Sequence, residues 1–222
     1  MPSSSRISPM RFWLALATGA VLAACSSSVI VESKFPSPLV EALPVKMGVL
    51  IPEELYNYIY TEEIRDESLW TIALGDANVA MFKPLFAKMF QETHNVDAVP
   101  LASNQYSLDG VLKPTIEKFE FDIPVNEKNK FVEVWIQYQL TLLEPNGNTV
   151  ATWPVSGYGK HELGHSREDA VQRAAITAMR EVGAAIATKF AQQPQIKSWL
   201  AEKEHGPTAD VGATTAQSEV AQ

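Results

Sequence analysis

The strongest pattern in the chain is an alternation of apolar and polar residues between positions 131 and 143. Every second residue from Val132 to Leu142 is apolar, and most of the residues between them are polar. This period of two predicts a strand with one face on the core and the other in water, as in an antiparallel sheet. The Asn146-Gly147 pair that follows is a strong hairpin signal, so residues 149–158 are expected to return as the partner strand.

Two other segments have the three-to-four-residue spacing of an amphipathic helix. In residues 79–90 the apolar stripe contains Pro84, which is expected to kink the helix or to move its start later. Residues 166–191 form a longer predicted helix, with Ser166 and Asp169 as a capping-box-like start. Several alanines of this helix are small enough to lie close against a sheet: Ala174, Ala178 and Ala185.

Shorter apolar runs predict further strands at residues 47–51, 55–61, 69–74, 96–101 and 111–123. A short helix that begins at Glu53-Glu54 is the alternative for the second of these runs. A β-bulge is expected near Glu117-Lys118, where the alternation changes phase. The order of strands, helix, strands and helix predicts an α+β fold, with a mostly antiparallel sheet and two main helices packed on one face.

The two ends of the chain differ in composition from this central region. Serine and proline are frequent in residues 25–44, which are expected to form a tether. Residues 201–222 are polar and rich in Ala, Gly and Thr, so they are expected to be a disordered tail. The single folded domain is therefore predicted at residues 45–200.

A short apolar segment with a basic flank precedes the tether. Arg6 and Arg11 come before a run of thirteen apolar or small residues, Phe12 to Ala24. A helix needs about 20 residues to cross a bilayer. Residues 1–24 are therefore interpreted as a secretory signal peptide rather than as a membrane span.

The sequence Leu22-Ala23-Ala24-Cys25 at the end of this segment resembles the lipobox of bacterial lipoproteins. The resemblance covers about the first 26 residues and implies cleavage before Cys25, lipid on the Cys25 thiol and a fatty acid, such as palmitate, on the new amino terminus. Ser26, rather than Asp, after the cysteine implies sorting to the outer membrane, on its periplasmic face. An incidental cysteine after an ordinary signal peptide is the alternative.

The charge of the chain narrows the range of partners. With 18 basic and 26 acidic residues, the chain has a formal net charge of −8, which disfavours a nucleic-acid binder because that class needs clustered Lys and Arg. Removal of residues 1–24 would take away two arginines and no acid, which leaves a net charge of −10. Charge does not hold such an acidic domain on anionic lipid, so the lipid itself would be the membrane anchor.

One motif suggests catalysis: His161-Glu162-Leu163-Gly164-His165 matches the H-E-x-x-H pattern of zincin metalloproteases. In that chemistry both histidines bind zinc from one helical face, Glu162 would be the general base, and a third ligand completes the site. The glycines before the motif and the Ser166 cap after it predict a strand-to-helix loop instead, so no cofactor is expected. A helix that begins near Lys160 and contains the motif is the alternative, and with it a zinc metalloprotease; a non-catalytic metal contact is a third interpretation.

Trp135 lies on the polar side of the strongest predicted strand, where an exposed aromatic side chain would serve a partner interface. Burial under a loop or the tail is the alternative. The element order of residues 45–191 is loosely similar to that of lipoproteins that assist lipopolysaccharide assembly or ABC-type transport. These features predict a non-enzymatic, lipid-anchored accessory protein that binds another envelope protein. A carrier of an apolar ligand, held between sheet and helices, is a further alternative.

Overall fold

The computed structural model describes residues 26–64, 68–101, 107–124 and 130–205 of the chain. These residues form eight strands and four helices. The strands are β1 (Ser26–Ile30), β2 (Leu43–Val49), β3 (Ile59–Ile64), β4 (Ser68–Ala73), β5 (Phe90–Asn95), β6 (Gly110–Asp122), β7 (Phe131–Leu143) and β8 (Thr149–Glu162). The helices are α1 (Glu53–Tyr56), α2 (Gly75–Met89), α3 (Arg167–Lys189) and α4 (Pro194–His205), with a 3-10 turn at Phe190–Gln192 between the last two.

The strands are divided between two mixed sheets. The larger sheet has the order β5-β2-β6-β7-β8, and the smaller one has the order β1-β4-β3. In the larger sheet β6, β7 and β8 run antiparallel, whereas β2 is parallel to both β5 and β6. In the smaller sheet β1 is parallel to β4, and β3 is antiparallel to it. The predicted α+β class is confirmed.

Strand β7 has the bounds that its alternation predicts, and its even-numbered residues from Val132 to Leu142 are all buried. β8 pairs with it along its length and continues to Glu162, beyond the predicted end at Tyr158. The pairing of β6 with β7 shifts register between Ile116 and Lys118, which confirms the expected bulge. The three strands therefore form one long surface, interrupted by the bulge in β6.

Helix α3 packs across β7 and β8. Its first turn is capped as predicted, because the Ser166 side-chain oxygen accepts a hydrogen bond from the Asp169 backbone N–H at 3.1 Å. Two glycines of β8, Gly157 and Gly159, lie directly beneath α3, which is itself built from small residues at this point. The backbones of helix and strand therefore approach each other closely.

A buried polar chain connects helix α2 to the sheet. The Tyr138 hydroxyl of β7 donates to Asn78 Oδ1 at 2.6 Å, and Asn78 Nδ2 donates to the Leu55 carbonyl oxygen at 3.1 Å. Asn78 is fully buried, so these bonds satisfy a side chain that would otherwise be costly to bury. The three residues fix α1, α2 and β7 relative to one another.

The amino-terminal part of the predicted tether is a strand. β1 pairs with β4, and Val29 and Val31 are buried in the main core. Ser27 Oγ donates to a Glu168 carboxylate oxygen at 2.9 Å, and Gln172 Nε2 donates to the Ile30 carbonyl oxygen at 3.1 Å. The tether prediction is wrong here because two buried valines outweigh the polar serines before them.

Three other boundaries differ from the predictions. Residues 55–61 contain the end of α1 and the start of β3 instead of one strand, so the short-helix alternative at Glu53-Glu54 is correct. Residues 96–101 form no strand, and β5 takes the edge position before them. Helix α2 begins earlier than expected and continues through Pro84, and α4 extends past position 200 into the predicted tail.

Candidate functional site

Trp135 lies in an open groove of about 460 Å³ on the larger sheet, near β3. The groove is lined by Tyr60, Glu62, Glu120, Phe121, Asp122, Glu133, Val134, Trp135 and Tyr158. Most of these side chains are aromatic or acidic. We call this surface the Trp135 groove.

The strand register places two aromatic residues of the groove, Trp135 and Tyr158, in one row with Glu120. Trp135 on β7 lies opposite Glu120 on β6 and Tyr158 on β8, so the three side chains project from the same face of the sheet. Trp135 is half-buried and 44% of Tyr158 is exposed, although its neighbours Val134 and Ile136 on β7 are buried. The predicted position of Trp135 on the polar face is therefore correct.

A second row of charged residues lies next to the first. Glu133 on β7 lies opposite Asp122 on β6 and Lys160 on β8. Lys160 Nζ binds Glu133 Oε1 at 2.9 Å, and hydrogen bonds from Lys160 and then Tyr158 hold the pKa of Glu133 below its ordinary value. This carboxylate is therefore ionised at neutral pH and faces the groove as a fixed negative charge.

The aromatic rings at the groove have charged partners of their own. Lys118 Nζ lies 5.3 Å from the centre of the Trp135 ring and also binds Glu120. This is a cation–π arrangement, in which the ring face attracts a positive charge. On the β3 side the Tyr60 hydroxyl donates to Glu62 Oε2 at 2.8 Å, and burial, followed by this hydrogen bond, raises the pKa of Tyr60 to about 12.

The groove is thus more acidic than basic. Four carboxylates line it, from Glu62, Glu120, Asp122 and Glu133, and two lysines lie against them. Partly exposed aromatic side chains with polar residues around them are typical of protein-binding surfaces, where Trp and Tyr are among the residues that contribute most to the binding energy. The arrangement suits a segment that carries positive charge and an apolar or aromatic side chain.

The H-E-x-x-H motif lies at the end of β8 and in the loop after it. His161 and Glu162 are the last two residues of the strand, and His165 lies in the loop before the α3 cap. His161 is paired with buried Val132, and Glu162 is paired with Phe131. The side chains of His161 and Glu162 therefore project from opposite faces of the sheet. The helix starts only at Arg167, so the two histidines are not one helical turn apart, as zincin chemistry requires.

Two parts of the sequence interpretation lie outside the described residues. These are residues 1–25, with the lipobox and Cys25, and residues 206–222 of the predicted tail. Among the helices of the described ranges, none combines the length and the apolar character that a membrane crossing needs. No group of three or more His, Cys, Asp or Glu residues with metal-binding geometry occurs in the described part of the chain.

Sequence reasoning missed most residues of the groove other than Trp135. The alternation of β6 and β7 places Glu120, Asp122 and Glu133 on the polar face, which is a signal available in the sequence. Tyr60 comes from the other sheet, and no local pattern links it to the Trp135 groove. Its contact with Phe119, at 4.9 Å between ring centres, depends on tertiary packing alone.

No protein-family model matches the sequence, and no curated protein matches it. Among solved structures, a Xanthomonas campestris protein of family DUF330 has a TM-score of 0.44 at 12% identity, over 78% of this chain and 95% of its own. A minor lipoprotein from Acinetobacter baumannii has a TM-score of 0.40 at 9% identity, over 68% and 94%. A lipoprotein from Neisseria meningitidis has a TM-score of 0.32 at 10% identity, over 67% and 99%. With every TM-score below 0.5, these similarities establish no shared function.

Proposed function

We propose that this protein is a lipid-anchored lipoprotein of the bacterial cell envelope that acts, without catalysis, by binding another envelope protein. The observation that carries the binding role is the Trp135 groove, an aromatic and acidic surface on three paired strands of the larger sheet. The lipobox Leu22-Ala23-Ala24-Cys25 supports the anchor. The partner segment would carry Lys or Arg next to an apolar side chain, since these complement the carboxylates and the rings.

The proposed anchor has almost no linker between the lipid and the folded domain. Cys25 is followed at once by β1, and Ser27 is already bonded to Glu168 of α3. Lipid on Cys25 would therefore hold this end of the domain, where β1 meets the start of α3, close to the membrane surface. The domain would have a restricted set of orientations relative to the membrane, which a long flexible linker would not impose.

The anchor is tested by metabolic labelling with a fatty acid. Cys25→Ala is expected to abolish labelling and to leave unprocessed precursor, because the acylated thiol is gone. The matched control is Ser28→Ala, which keeps the thiol and should label normally. Normal labelling of Cys25→Ala would contradict the lipoprotein assignment.

The location of the protein in the outer or the inner membrane is tested separately, by density fractionation of the two bacterial membranes. The unchanged protein is expected in the outer membrane, and Ser26→Asp is expected to retain it in the inner membrane. Ser26 is exposed, so the substitution should not disturb the fold. The proposed outer-membrane location would be contradicted if Ser26→Asp fractionated like the original protein, or if the original protein were found in the inner membrane.

The binding role is tested with a photo-cross-linking amino acid in place of Tyr158, in living cells. We expect a cross-linked protein partner, and Trp135→Ala should remove that product because it takes away the central ring of the groove. Tyr56→Ala is the matched control, since Tyr56 is an aromatic residue with 52% exposure outside the groove. Persistence of the product in Trp135→Ala, or its equal loss in Tyr56→Ala, would contradict binding through the Trp135 groove.

A further inference from the structure

A second cavity, which is much less polar than the Trp135 groove, lies where helices α2 and α3 meet. It has a volume of about 280 Å³, is partly open to solvent and is bordered by α2, α3 and the segment Phe35 to Val40. Its apolar walls include Met81 and Leu85 of α2 and Met179 and Ala187 of α3. None of these residues belongs to the Trp135 groove, so the cavity is a separate feature of the molecule.

The cavity exists because α3 has small residues where it faces α2. Gly183 lies on the cavity wall, and a Cβ atom added there would meet nothing closer than Met81 Sδ, at 3.9 Å. The wall opposite contains Pro36 and Pro38, which cannot donate backbone hydrogen bonds and keep this segment out of both sheets. Two methionines line the cavity, and their flexible side chains adapt to an apolar guest.

One charged residue is placed at the cavity, Arg180 of α3. It is exposed and makes no ion pair with any described residue. Arg173, two turns earlier on the same helix, is by contrast bound to Asp169 at 2.9 Å. The guanidinium of Arg180 is therefore available to an anion at a largely apolar site, whose other polar side chains are the hydroxyl residues Ser37 and Thr188.

From these features we infer that the cavity binds a single-chain anionic amphiphile, such as a fatty acid, with its alkyl chain between α2 and α3 and its carboxylate on Arg180. The volume of about 280 Å³ lies just below the usual range for ligand sites, about 300–1,000 Å³, which suits one alkyl chain rather than the two of a phospholipid. The charge selects a carboxylate, because Arg holds it through paired hydrogen bonds. This inference does not depend on the anchor or on the partner proposed above.

The test uses the unchanged protein as purified, in phospholipid vesicles, with a diazirine-bearing palmitic acid as the probe. After photolysis, mass spectrometry is expected to find adducts on the peptides that contain Met81 and Met179. Gly183→Met should reduce these adducts at least tenfold, because its side chain fills the cavity. A helical glycine is a poor helix former, so this variant should melt at the same or a higher temperature than the unchanged protein.

The role of the charge is tested by competition with unlabelled decanoic acid and with decanol. Arg180→Gln should raise the decanoic acid concentration needed for half-competition about tenfold and change that for decanol little. Arg173→Gln, on the same helix, is the control and should change neither. Equal labelling of the Gly183→Met variant, or equal effects of the two arginine substitutions, would overturn the inference. So would a change in oligomer size of Gly183→Met with unchanged labelling, which would make the cavity a protein contact.

Discussion

The contact between α3 and β8 leads to a sharp prediction about Gly159. A Cβ atom built at this position would lie 1.8 Å from the Ala174 carbonyl oxygen and 2.6 Å from the Ala178 backbone nitrogen. Both are backbone atoms of the helix, so no side-chain rotation can relieve the clash. Gly159→Ala can be accommodated only if α3 moves away from the sheet by more than 1 Å, as a rough estimate from ordinary contact distances of about 3.3 Å.

The expected cost follows from the packing that such a movement removes. A gap of this size forfeits a quarter to a half of the dispersion energy of each contact across it, and overpacking of a core costs about 1–3 kcal/mol in general. The lower entropy of the unfolded alanine chain returns about 0.4–1 kcal/mol. Because α3 crosses two strands and its buried face is long, we take the cost at the upper end of this range, and after the offset we expect Gly159→Ala to lower the free energy of unfolding by about 2 kcal/mol.

Gly164→Ala is the matched control, since a Cβ atom there has no neighbour within 4 Å. It should change the free energy of unfolding by less than about 1 kcal/mol. The assay is urea unfolding of both variants and the unchanged protein, monitored by circular dichroism. The comparison requires that the free energy of unfolding has the same slope against urea concentration in all three. If Gly159→Ala is no less stable than Gly164→Ala, the close approach of α3 to β8 is wrong.

Four shorter predictions concern other parts of the molecule. Val31→Ala should lower the free energy of unfolding by about 2 kcal/mol, because this residue is fully buried; a free tether would show no change in urea unfolding. Tyr138→Phe should cost about 2 kcal/mol in the same assay, because it leaves Asn78 Oδ1 buried without its donor, and an unchanged midpoint would contradict the network. The pKa of Tyr60 is raised from 10.0 to about 12, so the unfolded chain loses this proton first, and stability should fall as pH rises between these values. Tyr60→Phe should weaken that decline in alkaline unfolding measurements. Glu162→Ala should leave the cross-linking of the Tyr158 probe unchanged, and purified protein should hold substoichiometric zinc by elemental analysis; loss of function with zinc retained would favour the protease alternative.

The predictable parts of the fold are those with long, regular patterns. β7 could be predicted to the residue because its alternation continues through thirteen positions. The start of α3 could be predicted from its cap, although the helix ends at Lys189, two residues before the predicted end. β1 could not, since its serines are poor strand formers and its partner β4 lies about forty residues away in sequence. Parallel pairing of this kind has no local signal, which is why the second sheet was missed.

The same distinction applies to the candidate site. Trp135 could be assigned to the outer face because a period of two determines the direction of each side chain on β7. Its neighbours Glu120 and Tyr158 require the register between strands, and the bulge after Ile116 shifts that register by one residue. Tyr60 requires the position of one sheet relative to the other. A local pattern thus identified one residue of the groove, and tertiary structure supplied the rest.

The most direct test of the central claim is mass spectrometry of the amino-terminal peptide of the mature protein from bacterial membranes. The proposal predicts a peptide that begins at Cys25, continues with Ser26, and carries a lipid on the thiol together with an acyl chain on the amino group. A peptide that begins at any other residue, or one in which Cys25 is unmodified, would contradict the assignment as a lipid-anchored protein.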